Sequence, residues 1–326
     1  MTDFRAMPKV ELHLHLEGAA PPDFIRQLAA EQNADLSGIF DDAGAYQWTD
    51  FAEFLNVYEA ACSVLNTPDA FRRLTERVLA EQATHNVIYT EIFLAPDLCG
   101  GGDPVAWRDY LAAIIEGAAN AHAEHGIEAR FISTCVRHFG PENAVKVAQM
   151  TAQTAGPMLK GFGMGGEERH LMPSDFAHAF AICEEAGLPL TCHAGEIAGA
   201  HMVSATLDAL NVRRIGHGVR SIEDPGLVQR LVDEDIVLEV NPGSNISLCV
   251  FPDWSDHPIE RLRAAGVKVT VSTDDPPYFH TDMTREYEML ARHHGWTEAT
   301  LRDQNRVAME AAFCDTATKD AITARL

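Results

Sequence analysis

Positive charge is what this sequence has least of: 25 Lys and Arg stand against 48 Asp and Glu, a formal net charge of −23. A field of that sign repels phosphate backbones and anionic lipid, so neither nucleic acid nor membrane is expected as a partner. A small neutral or cationic molecule fits better. The sequence has no run of about 18 apolar residues, which excludes a membrane-spanning helix. No basic-then-apolar leader precedes the first apolar segment at residue 10, so no secretory signal is expected. The seven cysteines are scattered without a C-x-x-C pair, which excludes a disulfide framework or Cys-ligated zinc and points to a cytoplasmic setting. Low-complexity linkers, short repeats and a Gly-rich first turn for a nucleotide are also missing.

What is present is an ordinary globular composition, 46% apolar and 22% charged. Strand-like apolar runs fall at 9–15, 86–94, 129–136, 159–163, 188–193, 212–217, 236–241 and 267–273, with helical patterns between most of them. Eight strands alternating with helices predict an α/β fold, a (β/α)8 barrel of the TIM type, over a single domain spanning 1–326. A doubly wound open sheet is the alternative. Thr67-Pro68 reads as a helix start, and Ser174 as the cap of a helix ending at Gly187. Residues 284–292 and 297–314 read as terminal helices. Between the first two strands, Thr49 or Asp50 caps a helix with Phe51, Phe54, Leu55, Tyr58, Cys62 and Leu65 on one face. We expect residues of about 40–66 to form a helical lid, although such a stripe also suits plain packing on the barrel.

Two histidines in Leu12-His13-Leu14-His15-Leu16-Glu17-Gly18 are spaced to share one face of a strand, so both rings can reach one metal ion. Alone, His-x-His says little. Three later strands also end in ionisable residues interleaved with Gly or Pro: Cys192-His193-Ala194-Gly195-Glu196, Ile215-Gly216-His217-Gly218 and Thr273-Asp274-Asp275-Pro276. In a barrel of parallel strands, chemistry sits at these C-terminal ends. Three imidazoles and a carboxylate suit zinc with a position left for water, whose pKa the ion brings to about 7. Glu196 can stand beside the metal as a proton carrier. His217 can stabilise hydroxide or developing charge. This set suits hydrolytic attack on an electrophilic carbon.

In order and spacing these four segments resemble the adenosine/adenine deaminase branch of the amidohydrolase superfamily, from about residue 8 to residue 280. The resemblance implies one divalent metal ion, zinc by expectation, ligated by His13, His15, His193 and Asp274. It implies catalysis by Glu196, which protonates a purine ring nitrogen, and His217, which positions hydroxide. It implies substrate contacts from Asp275, Gly166, Glu17 and His15. Ser244 and Asn245 match a supporting Ser-Asn pair, and Thr191 is either a support or a plain strand residue. One metal is expected because Lys160 lies at the start of the fourth strand, whereas binuclear relatives carry a modified lysine at its end.

Three departures stand out: Glu17 for a common Asp that reaches ribose, Gly163 for Asp, and Asn241 for Cys. None touches the ligands or proton carriers. The expected activity is hydrolysis of an aminopurine, with adenosine to inosine and ammonia first. Adenine to hypoxanthine is second, and a modified adenine nucleoside third. An amide or lactone hydrolase is disfavoured by Glu196 together with Asp275. A catalytically dead binding barrel would have lost a ligand or Glu196, and neither is lost.

Overall fold

A computed structural model describes residues 2–326. All eight expected strands form: β1 (Lys9–His15), β2 (Val87–Leu94), β3 (Glu128–Val136), β4 (Leu159–Gly165), β5 (Thr191–Ala194), β6 (Arg214–His217), β7 (Val237–Val240) and β8 (Lys268–Val271). Each pairs in parallel with its chain neighbour in two runs, β1 to β4 and β5 to β8. Every residue of β2 is buried, as a parallel strand covered on both faces requires. The α/β barrel is therefore observed.

Its two seams are thin. Phe162 N–H donates to the Pro189 carbonyl at 3.1 Å, joining β4 to the approach of β5. At the other seam, Asp274 N–H donates to the His13 carbonyl at 3.2 Å and His15 N–H donates to the Asp274 carbonyl at 3.0 Å. The backbone of the expected metal ligands thus closes the barrel.

Strands five to eight are shorter than their apolar runs. The difference lies mostly at their leading ends, where residues such as Val212, Ile236 and Val267 are buried outside the ladders. Burial, not pairing, is what their hydrophobicity records. Thr67 caps the helix Pro68–Thr84 by accepting from Ala70 N–H, and Asp50 caps Phe51–Cys62 by accepting from Glu53 N–H. Ser174 caps nothing. It lies inside a 3₁₀ turn, Pro173–Phe176, whose start is bonded through Asp175, and the α-helix Ala177–Glu185 begins only afterwards.

The terminal helices are Met283–His294, Glu298–Ala311 and a third, Thr316–Thr323. The helix expected at about 297–314 forms as Glu298–Ala311 and ends early, before Phe313, whose ring lies where a Cβ on Gly161 would come within 2.8 Å of it. Among the described residues, no helix is long and apolar enough to cross a membrane.

Candidate metal centre and substrate pocket

The four sequence segments meet at the C-terminal ends of β1, β5, β6 and β8. One donor atom each from His13, His15, His193 and Asp274 falls within a sphere of mutual distances no greater than 4.8 Å. His15 Nε2 lies 3.2 Å from His193 Nε2, and Asp274 Oδ1 lies 3.3 Å from both His13 Nε2 and His15 Nε2. The edge of a tetrahedron with zinc–ligand bonds of 2.0–2.1 Å is about 3.3–3.4 Å. The donors are spaced as ligands of one small ion. Moreover, His13 Nε2 is buried without a hydrogen-bond partner, an orphan that an ion would satisfy.

Electrostatics agree with the geometry. Burial holds the His193 pKa well below the ordinary imidazole value and lowers that of His217 to about 3. Both rings are neutral, with a lone pair free. Burial also opposes charge on His13, but Asp274 and Glu239 outweigh it and raise its pKa to about 9. A cation would displace that proton. At Asp274 the surrounding imidazoles outweigh burial and keep the carboxyl well below its usual range.

Close approach depends on glycine at two points. A Cβ on Gly216 would sit 2.9 Å from His13 Cε1 and 3.2 Å from His193 Cα. One on Gly18 would sit 1.5 Å from Asp275 Oδ1. His217 and Asp274 themselves adopt left-handed backbone, with φ of 59° and 69°. Non-glycine residues held there carry about 1–3 kcal/mol of strain each, which clusters at functional sites.

Glu196 and His217 form the second group with Asp274. His217 Nε2 lies 3.7 Å from Glu196 Oε2 and 3.8 Å from Asp274 Oδ2. Burial, then the charges of Asp274 and Glu168, push the Glu196 pKa well above the carboxylate range. Burial beside Asp274 raises Asp275 to about 8, and its Oδ1 has no partner. Burial thus shifts both carboxyls toward the protonated, donating form.

The pocket holds about 900 Å³ counting its mouth. His15, Glu17, Gly166, His193, Glu196, His217, Asp274 and Asp275 all line it, so the structure gathers every site residue expected from the sequence except His13, which lies beneath. From the helix Phe51–Cys62, the side chains of Phe51, Phe54, Leu55 and Tyr58 form an apolar wall, whereas Cys62, and Leu65 beyond the helix end, do not line the pocket.

Support comes partly from residues the sequence did not single out. Ser244 Oγ donates to Asp274 Oδ2 at 2.7 Å, as the Ser-Asn match suggested. Asn245 and Asn241 Nδ2 each lie 3.3 Å from His217 Nδ1, so the Asn at 241 touches the site directly. The carboxylate of Glu168 accepts backbone N–H groups from Gly195 through Ala198 and fixes the loop carrying Glu196. Arg137 donates to the carbonyls of Glu168 and His193, both at 3.1 Å. Glu239 Oε2 lies 2.8 Å from His13 Nδ1, and the Thr191 hydroxyl donates to Glu239 Oε1 at 3.0 Å, so Thr191 is a support.

The sequence profile of the adenosine deaminase family matches residues 8–326. The chain belongs to that family. Membership makes it a hydrolytic deaminase of the purine class with a divalent-metal site. An adenine deaminase of Rhizobium leguminosarum bv. trifolii is 48% identical over 320 residues, covering 98% of this chain and 99% of the relative. The adenine deaminase of Agrobacterium fabrum is 45% identical over 320 residues, covering 98% and 97%. The crystal structure of an adenine deaminase from Arthrobacter aurescens superposes with a TM-score of 0.90 at 30% identity, covering 98% of each chain. An amidohydrolase of Burkholderia ambifaria, solved with bound zinc, gives a TM-score of 0.86 at 29% identity, covering 99% of this chain and 92% of that one.

Proposed function

We propose that this member of the adenosine deaminase family hydrolyses adenine to hypoxanthine and ammonia. The sequence alone put adenosine first; the relatives reverse that order, because those at 44–48% identity over nearly the whole chain are adenine deaminases. Glu17 is the residue that fits this reading. It is 2% exposed, lines the pocket, and burial raises its pKa to about 7. A longer carboxyl than the usual Asp occupies space otherwise left for sugar and offers a partner to the free N9–H edge of adenine.

His13, His15, His193 and Asp274 are the proposed ligands of one ion, zinc by the chemistry of the donor set. When bound, the ion supplies a water activated near neutral pH. The chain's residues do the rest. Protonated Glu196 donates to N1, next to the attacked C6. His217, whose Nε2 lies between Glu196 and Asp274 at 3.7 and 3.8 Å, orients the attacking water. Protonated Asp275 donates to N7, and Gly166 borders the other purine edge. The water oxygen bonds to C6 and the C6–N6 bond breaks. One water proton ends on the departing amine as ammonia, and the net gain at N1 is the other. We further propose that residues 1–326 are one domain, with the segment 40–66 a lid that excludes water.

The test is kcat/KM for adenine against adenosine on zinc-loaded protein. A site that hydrogen-bonds an N–H rejects analogues lacking it by roughly 10⁴-fold. We expect adenine to be preferred by at least about 10²-fold, and Glu17→Asp to narrow that gap by restoring room beside N9. Equal or better use of adenosine by the wild type would overturn the reading.

A further inference from the structure

Three buried charged side chains lie beneath the ligand cluster. Arg214 at the start of β6 is 1% exposed, and Glu91 on β2 and Glu239 on β7 are wholly buried. Arg214 Nη1 donates to Glu91 Oε2 at 2.6 Å and to the Ala311 carbonyl at 3.2 Å, while its Nε donates to Glu239 Oε1. The guanidinium also lies 3.6 Å from the centroid of the Phe313 ring. Its position is fixed from four directions.

An Arg shared by two buried carboxylates is a poor device for stability, because desolvation cancels much of the attraction. What the arrangement does provide is a fixed Glu239. Oxygen Oε1 is occupied by Arg214 Nε and by the Thr191 hydroxyl at 3.0 Å. Oxygen Oε2 is left to face His13 Nδ1 at 2.8 Å. A carboxylate only accepts, so the proton between them belongs to the ring. The opposite tautomer would set a lone pair against an anionic oxygen. The far nitrogen of the same ring, Nε2, is the orphan that faces Asp274 Oδ1 and the other ligands.

We propose that Glu239, clamped by Arg214 and Thr191, is a positioning residue that holds His13 with its proton on Nδ1 and its Nε2 lone pair toward the ion. The proposal rests on the metal reading above. It extends the centre through Arg214 to the barrel floor, where Ala311 and Phe313 become part of the device that aims one ligand.

Two measurements on the zinc-loaded protein test it. Imidazole N–H resonances are recorded in wild type, Glu239→Gln and Thr191→Val, and zinc affinity is measured by chelator competition. In wild type we expect a slowly exchanging, downfield Nδ1–H of His13. In Glu239→Gln that signal should be lost or shifted, and zinc affinity should fall roughly 10–100-fold, as for other groups that orient a ligand. Thr191→Val removes one of the two clamps and should lower affinity in the same direction by less. Should Glu239→Gln fail to fold, the wild-type resonance and Thr191→Val still decide. A His13 proton on Nε2 in wild type, or wild-type affinity in the folded variants, would overturn the proposal. Absence of stoichiometric zinc uptake by wild type would instead sink the metal reading, and the Nδ1–H signal would still report on Glu239.

Discussion

At the scale of single residues, two carboxyls in one pocket are pushed the same way for related reasons, yet only one is assigned the reaction's proton. Glu196 sits on a loop whose amides are held by Glu168, and it makes no closer approach to His217 than 3.7 Å. Glu196→Gln keeps its shape and removes its acidity. We expect turnover to fall by about 10²–10⁴-fold, the usual contribution of a general acid or base, with the metal content unchanged. A metal-poor variant, or near-normal turnover, would remove Glu196 from that role. The proposed ligands and catalytic groups stand out in the sequence because His13 and His15 alternate with leucines on one strand, whereas His193, Glu196, His217 and Asp274 come where an apolar run ends and Gly or Pro marks the turn. Glu239 was not. It sits inside the apolar run Val237-Leu238-Glu239-Val240, and its meaning comes from His13, 226 positions away. Glu168 escaped for a different reason: its carboxylate serves backbone amides, which leave no trace in side-chain patterns.

At the scale of elements, the existence of each strand was legible and its length was not, since hydrophobicity reports burial whether or not a ladder forms. The lid stripe was half legible: Phe51, Phe54, Leu55 and Tyr58 do wall the pocket. Helix Met283–His294 adds a buried acid that no pattern disclosed. Glu286 accepts from Gly243 N–H at 3.1 Å and from the Thr281 hydroxyl at 2.5 Å, just before the stretch that carries Ser244. Burial raises its pKa from 4.5 to about 8. The folded state therefore binds a proton that the unfolded chain releases, and this group's contribution is full below about pH 4.5 and declines as pH rises toward 8. The slope from one such group is at most about 1.4 kcal/mol per pH unit. Glu286→Gln, which mimics the neutral acid, should flatten the dependence of Tm on pH across that window. A variant that keeps the wild-type slope would show that Glu286 titrates normally.

At the scale of the whole molecule, an excess of 23 negative charges repels itself in the compact state. Raising salt from about 0.1 M to about 1 M shortens the Debye length from about 10 Å to about 3 Å. We expect Tm to rise over that range with a salt that does not bind the metal site; a falling Tm would mean that surface ion pairs outweigh the repulsion. The barrel's closing seam has a consequence in time. Its partners come from opposite ends of the chain: Thr273 N–H, beside Asp274, donates to Glu11 across 262 positions. A ribosome adding about 5–20 residues per second needs roughly 13–50 s to travel that distance. For most of that interval His13 and His15 are outside the exit tunnel with neither a closed barrel nor Asp274 beside them. A nascent chain therefore cannot assemble this His and Asp cluster strand by strand; the cluster waits for nearly the whole barrel.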